Sequence, residues 1–392
     1  MDDLAELRTR LDVVDRRFLQ NLKERLDTVA DIARVKAEGL SYLRDHERES
    51  EILERVEGWA RELGLDGFRT HEIFREIIAM SLKAQEEALL HREQVERSTR
   101  TASKVAFQGI EGAYSQLAAH KYFAARASKM EFVGVRSFAE ALAMAEKGEV
   151  GYAFLPIENT TAGSINQTYD LLRNTSLRVV GEEILHVRHC LLGIGGVSTA
   201  ELRRILSHPQ GLTQCSRYLS SLEGIELVAF EDTAASAREV HNAGDPTQAA
   251  IASFEAAEIY DLEVLKEGIA DQEENWTRFV VISGLEIELD PRIPAKTSMV
   301  FTTPHREGAL AHCLNLLAEH KLNLTKLESR PVPQRPWEYL FYVDIEGSLD
   351  SDSATIGIAA LRRECPYLRV FGSYPARTTA AGAVDRYNGS ES

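Results

Sequence analysis

"STRTASKVAFQGIEGAYSQ", residues 98–116, is where the chain changes character. Residues 4 to 97 carry helical periodicity and almost no glycine or proline; after the polar run "STRTAS" (98–103), "KVAFQ" and a glycine-rich turn open a strand pattern. A change of period across a polar break marks a boundary between an all-helical part and a part that contains strands.

Downstream of the break, short apolar runs such as "YAFLPI" (152–157), "RVVGEEI" (178–184) and "RFVVISG" (278–284) alternate with helical segments. That alternation predicts an α/β domain with a largely parallel sheet. After "DPRIPAK" (290–296) the pattern restarts as strand, helix, two strands, helix and strand, the βαββαβ order of a ferredoxin-like domain. The tail from 378, "TTAAGAVDRYNGSES", is small and polar, the composition of a disordered end. The expected division is a helical domain over 1–97, an α/β domain over 104–284, a ferredoxin-like domain over 296–376 and a tail over 377–392.

Composition narrows the function class. The 392 residues are 44% hydrophobic and 27% charged, as in globular proteins, and the formal net charge of -16 repels nucleic acid and anionic membranes. No apolar run approaches the roughly 18 residues of a membrane span, and "MDDLAEL" lacks the apolar core of a signal peptide, so a cytoplasmic protein is expected. Cys190, Cys215, Cys313 and Cys365 stand singly, which fits reduced, buried thiols better than a metal knuckle or a disulfide framework. In so acidic a chain, an anionic substrate needs cations gathered locally, and each cation in an apolar stripe becomes informative.

The first helix supplies such cations. Leu4, Leu7, Leu11, Val14 and Phe18 follow an a/d heptad, which continues into Asn21, Arg25 and Thr28, so the seam turns polar in its middle. Lys36 follows Arg25 by eleven residues, about three turns and ~16 Å along the axis, so both face one side. In "SYLRDHERES" (41–50), Asp45 is an N-cap candidate, and Glu49 shares the apolar face with Ile52, Leu53 and Val56. On the third helix the stripe of Phe74, Ile77 and Ile78 reaches Ser81 and Gln85. One polar residue at a core position is ordinary; polar groups on three helices together are better explained by an anionic, hydroxylated ligand inside the bundle.

These residues resemble the all-helical chorismate mutases, whose motif the "RDHERE" run matches. Arg8, Arg25, Lys36, Asp45, Arg48, Glu49, Ser81 and Gln85 fall on that family's active-site set. The resemblance implies that Arg8 and Arg25 hold carboxylates of chorismate, that Lys36 and Gln85 donate to its ether oxygen, and that Glu49, backed by Asp45, receives the ring hydroxyl. A Claisen rearrangement needs only a fixed chair-like conformer and donors to an oxygen that gains charge, with no nucleophile or metal. Arg8 lies 17 residues before Arg25, ~25 Å along the helix and on another face, so it is expected to serve the site of a second chain. A first helix of about 35 residues is long for a three-helix monomer, and an intertwined homodimer would bury its seam.

The α/β part resembles prephenate dehydratases through "GIEGAYS" (109–115), "PIENTTAGSIN" (156–166), "SHPQGLTQC" (207–215) and the Thr-Arg-Phe of "ENWTRFVVIS" (274–283). That likeness implies two lobes like a periplasmic binding protein, with the cleft holding Asn159, Thr160, Ser207, Gln214, Thr277 and Arg278, and Thr277 acting on the departing hydroxyl of prephenate. His208 is a conceivable proton source, although a structural histidine before Pro209 is the favoured reading. Gly109 and Gly112 fit a tight turn, near a ligand or purely structural.

The last domain resembles the ACT regulatory domain. "GAL" (Gly308, Ala309, Leu310) and "ESRP" (Glu328, Ser329, Arg330, Pro331) match phenylalanine-sensing motifs; where the family usually has valine after "GAL", this chain has Ala311. The whole pattern implies a bifunctional enzyme making phenylpyruvate from chorismate, inhibited by L-phenylalanine, with no cofactor and no metal. Two alternatives stay open: an arogenate-using dehydratase of the same fold, and a non-catalytic ligand-sensing scaffold.

Overall fold

The computed structural model describes residues 2–36, 46–78, 80–81, 104–285, 287, 289–290, 293–332 and 335–377. The chain forms two compact units, one built on residues 1–99 and the other on residues 100–289 with 294–379.

The first unit is helical: α1 (Asp2–Lys36), α2 (His46–Glu62) and α3, helical over 67–78 and again at 80–81. At 35 residues α1 is about 52 Å long. Its N-terminal half stays largely uncovered among the described residues: Leu7, Leu11, Val14 and Phe18 are each more than half exposed. The small core that does form holds Val56 and Ala60 of α2 with Ile77 and Ile78 of α3.

The second unit holds three sheets. Its first α/β lobe runs β1 (Lys104–Gln108), α4 (Tyr114–Tyr122), β2 (Glu131–Val135), α5 (Phe138–Glu146), β3 (Tyr152–Asn159), β4 (Gly163–Ser164), α6 (Asn166–Asn174) and β5 (Arg178–His186). The chain then crosses to the second lobe: β6 (Cys190–Gly193), β7 (Arg204–Ser207), α7 (Pro209–Gln214), α8 (Ser216–Ser220), β8 (Glu226–Ala229), α9 (Thr233–Ala243), β9 (Gln248–Ala252), α10 (Phe254–Ile259) and β10 (Glu263–Lys266). It returns as β11 (Trp276–Ser283), which completes the first sheet in the order β2-β1-β3-β11-β5, with β4 on β3; the second sheet runs β10-β6-β9-β7-β8.

Both sheets are mixed, which corrects the largely parallel expectation. β1, β2 and β3 pair in parallel, but β11 lies antiparallel to β3 and to β5, and β6 lies antiparallel to β9 and β10. The cause is topological: a strand that re-enters the first sheet from the second lobe fills a central slot from the opposite direction. Crossover helices sit on the faces, so the central strands are nearly continuous apolar runs, as in β3 and β11.

The last segment is β12 (Ala295–Thr302), α11 (Ala309–Glu319), β13 (Leu324–Val332), β14 (Arg335–Glu346), α12 (Asp352–Glu364) and β15 (Tyr367–Pro375), antiparallel in the order β13-β14-β12-β15. This is the ferredoxin-like arrangement read from the sequence. It packs into the first lobe rather than standing apart: Val300, Tyr342, Phe371 and Tyr374 share a core cluster with Leu155, Val179 and Val280. All four cysteines are free and buried, as expected. The tail expectation for 378–392 lies outside the described residues.

Candidate active sites

In the helical unit, the polar interruption of the seam has a definite partner. Arg25, half-buried on α1, donates to the Ser81 hydroxyl of α3 and, at 3.5 Å, to the Ile77 carbonyl; Ser81 donates its own proton to Ile77 O at 2.6 Å. Burial lowers the pKa of Arg25, although a guanidinium keeps its charge at any ordinary pH. Helical spacing thus brings two of the expected residues together across α1 and α3.

The others are placed differently. Glu49 is half-buried on α2, whereas Arg48 is exposed and paired with Glu51 at 2.7 Å. On α2 Arg48 lies three residues from Glu51, the spacing at which an ion pair forms along a helix. Arg8 is exposed on the bare half of α1. Asp45, Gln85 and the side chain of Lys36 lie outside the described residues.

In the second unit, the decisive arrangement is on adjacent strands β3 and β11. Their register sets Thr277 opposite Asn159 and Arg278 opposite Glu158, with a bulge immediately after Arg278. Successive side chains leave a strand on opposite faces, so this register separates two pairs cleanly.

The Asn159–Thr277 face is an amide and hydroxyl cluster. Asn159 Nδ2 donates to Thr277 Oγ at 2.9 Å and to Asn275 Oδ1 at 2.8 Å, while its Oδ1 accepts from the backbone N–H groups of Thr161 at 3.0 Å and Ala162 at 2.8 Å. Those two backbone donors fix which end of the Asn159 amide is nitrogen. Thr277 therefore receives a hydrogen bond, and its own O–H has no acceptor among the described residues. From α7 of the other lobe, Gln214 reaches Thr161 Oγ and, at 3.4 Å, Asn159 Oδ1.

The opposite face carries charge. Arg278, 8% exposed, donates to Asp344 of β14 at 2.6 Å and lies 3.6 Å from Glu182; Lys296 of β12 binds Glu182 at 2.9 Å. Burial by itself disfavours these charges, but Asp344 and Glu182 raise the pKa of Arg278. Burial likewise opposes ionisation of Asp344, and Arg278, Lys296 and the Ser298 hydroxyl overcome it, leaving that carboxyl below its usual range. Arg278 thus ties the first lobe to the ferredoxin-like sheet and lies on the face opposite Thr277, because successive residues within β11 point to opposite sides.

Two further expected residues bond to the backbone. Thr160 is exposed, and its hydroxyl donates to Glu274 O at 3.1 Å and accepts from Trp276 N at 2.9 Å, closing the approach to β11. Ser207, fully buried, donates to Ile251 O at 2.8 Å. His208 N-caps α7 through Nδ1, the structural role favoured for it. Gly109 and Gly112 have φ of 112° and 85°, and their turn is clasped by the second lobe, with Tyr260 Oη donating to Glu111 O at 2.6 Å. A Cβ on Gly109 would sit 2.5 Å from an oxygen of Asp232.

The sequence reading missed Thr161, Asn275 and His189. The first two lie inside the "PIENTTAGSIN" and "ENWTRFVVIS" stretches that carry the expected residues. His189, in "HVRHCLLG" (186–193), stands in no such pattern; only the fold brings it to Gln214.

Of the two runs expected to sense phenylalanine, Gly308 adopts φ 72° as the N-cap of α11, which a left-handed glycine permits, and Ala309 is buried behind it with Leu310 half-buried. On β13 the second run splits by alternation. Glu328 accepts from Ser164 of β4 and Arg330 binds Asp170 of α6 at 2.9 Å, both toward the first lobe, whereas Ser329 is exposed. Lys326 joins the same face, reaching Glu158 at 2.8 Å.

Comparison with known proteins assigns both units. Residues 7–86 match the family model of chorismate mutase type II, and residues 105–286 match that of prephenate dehydratase. A bifunctional chorismate mutase/prephenate dehydratase from Enterobacter agglomerans is 35% identical over 383 residues, 98% of either chain. The chain belongs to the bifunctional chorismate mutase/prephenate dehydratase family. It is an enzyme with one domain of each kind, and the scaffold alternative falls. Among solved structures, the prephenate dehydratase from Arthrobacter aurescens in complex with L-Phe is 29% identical, covers 72% of this chain and 97% of its own, and has a TM-score of 0.62. A structure described as GqqA, a novel type of quorum quenching acylase, has the same TM-score at 33% identity, covering 70% of this chain and 98% of its own.

Among the described residues no helix is long and apolar enough to cross a membrane, and no cluster of His, Cys, Asp and Glu could hold a metal ion.

Proposed function

We propose that the helical unit rearranges chorismate to prephenate and that the second unit converts prephenate to phenylpyruvate, carbon dioxide and water. The observation that carries the second step is the Thr277 hydroxyl, which accepts from Asn159 and keeps its own proton for a ligand. In the reaction, the electrons of the breaking bond to the carboxylate carbon aromatise the ring and expel the ring hydroxyl, which takes up one proton and leaves as water. Thr277 donates a hydrogen bond to that departing oxygen, and Asn159, held by two backbone donors, fixes the direction of the threonine proton. Gln214 completes the site from the other lobe.

In the mutase site, Arg25, Lys36, Arg48, Ser81, Gln85 and Glu49 with Asp45 serve chorismate, and Arg8 of a second copy supplies the remaining cation. The bare seam of Leu7, Leu11, Val14 and Phe18 supports this homodimer, because more than half of each side chain is left in water by one chain alone. The ferredoxin-like segment acts as an ACT domain that binds L-phenylalanine through Gly308, Ala309 and Leu310 and through the Glu328–Arg330 run. An L-Phe complex of the Arthrobacter aurescens relative supports that reading. The protein works in the cytoplasm.

Two single variants test the pair of assignments. Glu49→Ala is expected to abolish prephenate formation while leaving turnover of supplied prephenate intact, and Thr277→Ala is expected to do the reverse. Loss of both activities in either variant would contradict two separate sites. Turnover of arogenate faster than prephenate by the unmodified protein would shift the substrate to the aminated analogue.

A further inference from the structure

Only two stretches join the lobes of the second unit: residues 187–189, between β5 and β6, and residues 267–275, between β10 and β11. They are stitched together by Val187 N donating to Asn275 O at 2.7 Å and Ile269 N donating to His189 O at 3.2 Å. His189 sits in this junction, 2% exposed. Its Nε2 is 2.9 Å from Gln214 Oε1, and its Nδ1 is 3.1 Å from the hydroxyl of Tyr114, whose ring meets it edge-on at a centroid distance of 5.6 Å.

The partners settle the tautomer. Asn159 Oδ1 is fixed as an acceptor by the N–H groups of Thr161 and Ala162, so the Gln214 atom facing it is the NH2 and Gln214 Oε1 faces His189, whose Nε2 carries the proton; burial lowers the pKa of the imidazole, and Nδ1 lies beside a Tyr114 hydroxyl that donates to Arg188 O at 2.7 Å. With Oε1 held in this way, the NH2 of Gln214 is turned toward Thr161 Oγ and Asn159 Oδ1. The order of contacts runs from Tyr114 in the first lobe, through His189 in the junction and Gln214 in the second lobe, back to Asn159 and Thr277 in the first. Nothing else among the described side-chain hydrogen bonds holds the Gln214 oxygen.

We infer that His189 is a positioning residue of the dehydratase reaction: its Nε2–H orients Gln214 across the lobe junction so that the amide nitrogen, not the oxygen, meets the Asn159–Thr277 pair. The inference rests on the prephenate dehydratase reading of this site. His189 touches no reacting atom in this account, and its whole effect passes through Gln214. Its loss should therefore lower kcat for prephenate, since a catalytic group displaced by about 1 Å can cost roughly 100-fold, while KM changes little.

The test compares three replacements in the full chain with prephenate as substrate. His189→Gln places an amide N–H near the position of Nε2 and is expected to retain most of kcat. His189→Asn places its amide near Nδ1, out of reach of Gln214, and is expected to lose about 100-fold together with His189→Leu. Thermal unfolding is read alongside, and Gln214→Leu is combined with His189→Leu; in that background the histidine change should cost almost nothing further, the mark of a residue acting through its partner. Equal losses in His189→Gln and His189→Asn that follow a shared drop in unfolding temperature would reduce His189 to a structural role. Losses that multiply in the double variant, or a His189→Leu protein with unaltered kcat, would also overturn the inference. Failure of the underlying reading looks different: the unmodified protein would not consume prephenate, or Thr277→Ala would consume it normally.

Discussion

Asp344→Asn is the perturbation whose cost the structure defines most closely. The side chain keeps its shape and one acceptor oxygen for Arg278, but the buried set of Arg278, Lys296, Glu182 and Asp344 goes from balanced to one excess positive charge. All four side chains are at least nine-tenths buried, so water cannot absorb the difference. Removing one partner of a buried ion pair costs about 3 to 5 kcal/mol, which lowers the unfolding temperature of a unit this size by on the order of 10 °C. Arg278→Met alone leaves the opposite excess and is expected to cost a similar amount. The double variant restores balance, with Lys296 still on Glu182, so the two losses should fall short of additivity by about 2 kcal/mol or more. The assay is thermal and urea unfolding of the four proteins, followed by a probe in the second unit. Additivity within about 0.5 kcal/mol would refute the reasoning, because it would mean that the two charges do not share one site.

The same carboxylate sets an acid limit. Its folded pKa is depressed, so its stabilisation is present above the unfolded value of about 4 and is lost as pH falls below that; unfolding temperature measured from pH 6 to pH 3 should drop more steeply in the unmodified protein than in Asp344→Asn. Gly109→Ala would put a methyl group 2.5 Å from an Asp232 oxygen at a φ of 112°, and is expected to raise KM for prephenate by pushing the lobes apart, measured by steady-state kinetics. Phe18→Asp, on the bare face of α1, should convert the proposed dimer to monomers in sedimentation and remove mutase activity, while dehydratase turnover continues.

Much of the architecture was legible because hydrophobic period is a local property. The change at 98–116, the length of α1 and the βαββαβ order are all set by spacing within single elements. The sheet directions were not, because β11 returns from the second lobe into a slot between β3 and β5, and no local pattern records where a strand inserts. That Arg25 and Ser81 share one side was legible from helical spacing, and the grouping of Asn159, Gln214 and Thr277 from their motifs. That Arg278 parts from Thr277 was not read, since adjacency in sequence is opposition in a strand: the motif residue next to Thr277 faces Asp344. His189 was invisible, since a lone histidine before an apolar run carries no periodic signal and its partners lie 75 residues before and 25 after it.

The central claim is that one chain carries both activities under control of its last domain. The most direct measurement gives the purified protein chorismate, follows prephenate and phenylpyruvate together in time, and repeats the assay with L-phenylalanine. The account predicts transient prephenate, then phenylpyruvate whose rate falls when L-phenylalanine is present. Prephenate that accumulates without phenylpyruvate, or chorismate that is not consumed, would contradict it.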